Sequence, residues 1–141
     1  MGKIYLLNAP IVPIDVNRKC VAVVTRVSNV EYIRKFIEFW RGSGMEVVSA
    51  IGHESTARLL TKMLGFEVKT QRISITAGDG DVIVAFSLNF RLPEGKVLSD
   101  AELEEIIRSK QYSFTIVDMI KCYAHGVEIS LMIKPAGASE Q

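Results

Sequence analysis

The chain has 141 residues, of which 48% are hydrophobic and 23% charged, and its formal net charge is +1. That length supports one domain with its own core, and the apolar share excludes a wholly disordered chain. Near-neutrality argues against charge-driven binding to long nucleic acid or to an anionic membrane, while leaving room for a small anion held by a few local cations.

No apolar run reaches the roughly 18–20 residues of a membrane span. The opening apolar stretch, residues 4–7, is shorter than the roughly 7–15 residues of a secretory signal core. Two cysteines, Cys20 and Cys122, are too few for a disulfide scaffold, so a cytoplasmic protein is expected. Residues 4–7 read as a first strand, after which Pro10 and Pro13 break regular pairing. Residues 21–27 are β-branched and read as a second strand. Ser28 and Glu31 form a capping-box pattern, and Val30, Ile33, Phe36, Ile37 and Trp40 recur at helical spacing. Phe36, Phe39 and Trp40 are assigned to the core of that helix.

Residues 45–51 predict a short buried strand. Ala57, Leu60 and Leu64 mark a second helix that Gly65 stops. Residues 72–76 alternate with period two, residues 77–80 carry turn chemistry, and residues 81–88 are apolar, which together predict a β-hairpin. Residues 91–96 form a loop. Ser99 and Glu102 open a third helix, residues 112–120 form a strand, residues 127–133 suggest one more, and residues 135–141 form a polar tail. The sum is a single α/β domain: a mixed sheet of about five or six strands with about three helices on one face.

Two clusters carry candidate chemistry. Ser49-Ala50-Ile51-Gly52-His53-Glu54-Ser55-Thr56 lies where a buried strand becomes a helix. Free N–H groups there favour an anion, Gly52 permits close approach, and His53 can deliver a proton near neutral pH. On sequence pattern alone, plain helix capping by Ser, Thr or His side chains is the favoured explanation of the same residues. The second cluster is Arg91-x-x-Glu94-Gly95-Lys96, where Arg91 and Lys96 can clamp a phosphate and Glu94 can orient a hydroxyl; a solvated surface loop is the alternative. Cys20, His53, Cys122 and His125 make a Cys2His2 set only on paper, because no second close pair exists, and no metal or cofactor is expected. Neither the phosphate-loop nor the dinucleotide glycine pattern occurs.

The Ser49–Thr56 segment, followed by Arg72-Ile73 and by Arg91-Leu92-Pro93-Glu94-Gly95-Lys96-Val97-Leu98, resembles the viral anti-CRISPR ring nuclease family. Tyr5-Leu6-Leu7-Asn8-Ala9 is similar to that family's first strand. The resemblance covers residues 4–120, so residues 1–120 form the ring-nuclease-like domain and 121–141 a C-terminal extension. It implies a homodimer that binds cyclic tetra-adenylate, the messenger of type III CRISPR defence, across its interface. It implies metal-independent cleavage to linear di-adenylate, which antagonises or terminates signalling. His53, Arg91 and Glu94 match the family's catalytic positions. Asn8, Ser49, Gly52, Thr56 and Arg72 fall where the ligand site is expected, with Gly95 and Lys96 beside them.

The chemistry agrees with that role. The substrate is RNA, so each 2′-hydroxyl can attack its own phosphorus once held in line. His53 would protonate the leaving oxygen, Arg91 and the helix amides would stabilise phosphoryl charge, and the product would carry a 2′,3′-cyclic phosphate. Two rivals stand beside this reading. One is a dimer that sequesters or senses cyclic oligoadenylate without cleaving it. The other is a structural or regulatory protein of a virus or mobile element.

Overall fold

The computed structural model describes residues 2–9, 11–14, 18–92 and 95–124. Within them the chain runs β1 (Lys3–Leu7), β2 (Arg18–Val27), α1 (Val30–Gly42), β3 (Glu46–Ser49), α2 (Glu54–Leu64), β4 (Val82–Leu88), α3 (Asp100–Ser109) and β5 (Tyr112–Ala124). The five strands form one mixed sheet in the order β2-β5-β4-β1-β3. β1 is parallel to both its neighbours, β3 and β4, while β5 is antiparallel to β4 and β2.

All three helices pack on one face, as expected from the alternating strands. Ile33 and Ile37 of α1, Leu60 and Met63 of α2, and Leu103 and Ile106 of α3 share a single core with Ile4, Leu6, Val84, Phe86, Phe114 and Ile116. A smaller cluster holds the opposite face, where Leu7, Ile83, Ala85, Val117, Ile120 and Cys122 meet Ala77 and the half-buried Ile75.

The helix signals read from sequence hold with one shift. Ser99 and Glu102 make both bonds of their capping box, and Gly65 ends α2 in the left-handed region. The cap of α1 is Asn29 rather than Ser28: its side chain accepts from the Tyr32 N–H at 3.1 Å. β2 runs through Val27, so the turn into the helix falls one residue later. Phe39 is exposed, unlike Phe36 and Trp40, because at about 100° per residue it points away from the stripe set by Ile33 and Ile37.

The expected hairpin does not form. Residues 72–76 lie outside any strand, and β4 has both edges taken, by β1 and by β5. The segment instead crosses the helix-free face, where Ala77 donates its N–H to the Pro13 carbonyl at 2.7 Å. Cys20 and Cys122 are not free thiols: they form a disulfide across the β2–β5 pair, so neither can serve as a metal thiolate. The suggested strand at 127–133, the tail, His125 and Glu94 lie outside the described residues.

Candidate functional site

Three parallel strands end side by side, and the chain leaves each of them into the same region. β1 yields Asn8, β3 leads through Ala50 and Ile51 to Gly52 and His53, and β4 continues to Phe90 and Leu92. β1 lies between β3 and β4, so the connections diverge at its C-terminal end. In open α/β sheets the crevice outside such a divergence is the usual ligand position.

Two open depressions meet there. One, of about 210 Å³, is lined by Asn8, His53, Thr56, Phe86, Leu88, Phe90 and Leu92. The other, of about 540 Å³, is lined by Asn8, Ala50, Gly52, His53, Arg72, Ile73 and Ser74. Asn8 and His53 belong to both. A hollow of about 470 Å³ on the outer side of β3, around Val47, Phe66 and Lys69, includes neither of them.

His53 is the N-cap of α2, with φ −113° and ψ 126°, and its Nδ1 accepts from the Ser55 N–H at 3.1 Å. Nδ1 is therefore the acceptor of the neutral ring, and the ring proton lies on Nε2. The Ala57 N–H starts the helical ladder by donating to the His53 carbonyl, whereas the amides of Glu54 and Thr56 have no acceptor within the helix. The residue caps the helix and leaves Nε2–H as a donor beside an anion-favouring helix start.

Arg72 reaches the site because residues 70–72 run alongside 51–52. Ile51 and Thr70 form a parallel bridge, and the Gln71 N–H donates to the Ile51 carbonyl at 2.7 Å. Arg72 Nε then donates to the Gly52 carbonyl at 3.0 Å. A Cβ on Gly52 would stand 3.0 Å from Arg72 Cγ, so the absent side chain is what lets the guanidinium lie across the turn.

Not every expected residue joins them. Ser49 is buried, donates its hydroxyl to the Lys69 carbonyl at 2.6 Å and accepts from the Ile51 N–H, so it braces the β3 exit instead of facing the depressions. Lys96 pairs with Glu102 at 3.2 Å. The Glu102 carboxyl is held below its ordinary value first by the Ser99 N–H and then by Lys96. Gly95 adopts φ +75°, and Arg91 is exposed; neither lines the two depressions.

Sequence reading missed two groups. Phe90 and Leu92 extend the period-two apolar face of β4 beyond its last residue, a signal present in the pattern at 86, 88, 90 and 92. Ser55 and Arg58 also went unassigned. The buried Ser55 hydroxyl accepts from the Leu98 N–H at 2.8 Å, and Arg58 donates to the Leu98 carbonyl at 2.7 Å while pairing with Asp100. The first turns of α2 thus anchor the far end of the loop that begins at Arg91.

A family model described as STIV B116-like matches residues 4–114. The chain belongs to the STIV B116-like family. Among similar proteins, "Uncharacterized protein 26" of Sulfolobus islandicus filamentous virus (isolate Iceland/Hveragerdi) is 31% identical over 89% of this chain and 98% of its own length. "Uncharacterized protein ORF117" of Acidianus two-tailed virus is 36% identical over 73% of this chain and 85% of its own. Among solved structures, B116 of Sulfolobus turreted icosahedral virus aligns with a TM-score of 0.54 at 27% identity, covering 82% of this chain and 98% of that one. The single α/β domain of five strands and three helices, within the expected five or six strands and about three helices, matches this B116 neighbour, and the matching relatives named here are proteins of archaeal viruses. Among the described residues no helix is long and apolar enough to cross a membrane.

Proposed function

We propose that this B116-like protein is a metal-independent ring nuclease. As a homodimer it would cleave cyclic tetra-adenylate into two linear di-adenylates ending in 2′,3′-cyclic phosphates, so antagonising type III CRISPR signalling. The observation that carries the reading is the position of His53 Nε2–H, beside the first turn of α2 and within reach of both depressions. A phosphodiester laid on that turn meets helix amides and a fixed proton donor together.

Each cleavage is a transesterification. The 2′-oxygen bonds to its neighbouring phosphorus as the bond to the 5′-oxygen breaks. The 2′-hydroxyl proton passes to water, a His53 ring protonated at both nitrogens gives its Nε2 proton to the departing 5′-oxygen, and solvent reprotonates the neutral ring that remains. Arg72, and Arg91 and Glu94 from the loop, are the charged groups assigned to the phosphates and ribose. A two-fold dimer would present one His53 to each of two opposite phosphates of the ring.

The test is single-turnover incubation of labelled cyclic tetra-adenylate with excess protein in EDTA, wild type beside His53→Ala. Conversion to cyclic-phosphate-ended di-adenylate that disappears in the variant is the expected result. A second reading, a dimer that only sequesters the ring, is favoured by the cap bond, which accounts for His53 without chemistry. Tight binding with no conversion would establish it in place of the nuclease. No binding and no conversion would leave the structural or regulatory viral protein.

A further inference from the structure

We infer that the 210 Å³ depression beside His53 is a nucleobase subsite, with Phe90 as its stacking face and Asn8 reading the base edge. The inference rests on the ring-nuclease reading and adds to it the part of the ligand that is neither phosphate nor ribose. Its starting observation is a departure from core patterning. Phe86 is buried and Leu88 half-buried against the helix-side core, as β4 requires. Past the end of the strand the same face continues with Leu92, which packs against that core, and with Phe90, which remains 38% exposed. An aromatic ring held open at the mouth of a hollow, with an apolar floor below it, offers a flat face on which a base can lie.

The hollow is two-sided. Phe86, Leu88, Phe90 and Leu92 form its apolar wall, and Asn8, His53 and Thr56 form its polar wall. A nucleotide has the same division, with an apolar ring face at one end and an anionic phosphate at the other. With the base on Phe90, the adjoining phosphate is directed toward the first turn of α2 and His53 Nε2–H. Asn8 is exposed at the end of β1, and its carboxamide carries both donors and an acceptor, which matches the paired donor and acceptor on the edge of adenine. An apolar peptide side chain would leave this polar wall unpaired, so a base is the better occupant.

The experiment measures the dissociation constants of cyclic tetra-adenylate and cyclic tetra-uridylate for the full chain and for Phe90→Leu, Phe90→Tyr and Asn8→Ala. Leucine keeps apolar volume without a flat face; tyrosine keeps the face. Loss of one stacking platform weakens binding roughly 5–150-fold for each base concerned. Phe90→Leu is expected to lose affinity for the adenylate ring on that scale, with Phe90→Tyr retaining more than the leucine variant. Asn8→Ala is expected to narrow the preference for adenylate over uridylate. If wild type binds and cleaves the adenylate ring and Phe90→Leu does so equally well, the subsite is refuted while the nuclease stands. If leucine and tyrosine variants lose affinity equally, Phe90 acts by packing and the stacking assignment falls. If wild type binds neither ring, both readings fail together.

Discussion

Replacing His53 with alanine perturbs two things at once, and the geometry allows them to be separated. Alanine removes the Nε2 proton and also the Nδ1 acceptor of the Ser55 N–H. Loss of an N-cap acceptor costs about 0.5–2 kcal/mol, and for a chain of this size about 1 kcal/mol lowers the melting temperature by roughly 3–5 °C. Ser55 is buried, which shields the freed amide from water and places the cost toward the upper part of that range. Asparagine is a preferred cap, so His53→Asn restores the bond to the helix while still removing the imidazole. The expected pattern is a melting temperature for His53→Asn close to wild type and above that of His53→Ala, with cyclic tetra-adenylate cleavage lost in both. Thermal unfolding followed by circular dichroism and single-turnover cleavage read the two effects independently. Equal melting of the two variants would refute the capping role, and wild-type turnover in His53→Asn would refute the proton donor.

Three further outcomes follow from the structure. The Cys20–Cys122 disulfide spans 102 residues of sequence, for which loop-closure entropy sets a ceiling near 4.7 kcal/mol; Cys122→Ser should lower the urea midpoint, and an unchanged midpoint would show that the bridge contributes nothing. Gly52→Ala should displace Arg72, whose Cγ stands 3.0 Å from the added methyl, and so weaken ring binding measured by titration while leaving the melting temperature nearly unchanged; unaltered affinity would remove Arg72 from the site. The Asp79 carboxyl is held below its usual value, first by the Cys122 N–H and then by Lys121. A lowered folded value means that its stabilisation is present above the unfolded value and is lost as pH falls through the folded one. Asp79→Asn should therefore lessen the fall in stability below about pH 4, and parallel acid-denaturation curves for wild type and variant would contradict this.

What the sequence disclosed and what it withheld divide along the range of the forces involved. Caps and stops act over three or four residues, so Gly65 and the Ser99–Glu102 box were legible directly. Period-two alternation is equally local, but whether a strand finds a free edge is not. Residues 72–76 have the pattern of a strand, yet β1 and β5 occupy both sides of β4, and long-range pairing decided the matter. The site divides in the same way. His53, Gly52 and Thr56 are sequence neighbours at one helix start and were read together. Ser49 shares that segment, but its hydroxyl is consumed by Lys69, and Lys96 is drawn to Glu102; neither partner could be read from spacing. Phe90 was missed because an aromatic after an apolar strand reads as core, and only the end of β4 shows that its side chain stays open.

The double hold on the Leu98 backbone bears on the entropy of binding. Ser55 and Arg58 tie Leu98 to the helix that His53 caps, and at the other end the Asn89 N–H donates to the Gln111 carbonyl at 3.0 Å. The segment carrying Phe90 and Arg91 is therefore a closed loop between two fixed posts. Contacts made to a loop closed at both ends cost less chain freedom than contacts made to an untethered strand, since loop closure was already met during folding. The α2 post also moves with His53, so a displacement of the helix start carries His53 and the loop's anchor together and preserves their spacing.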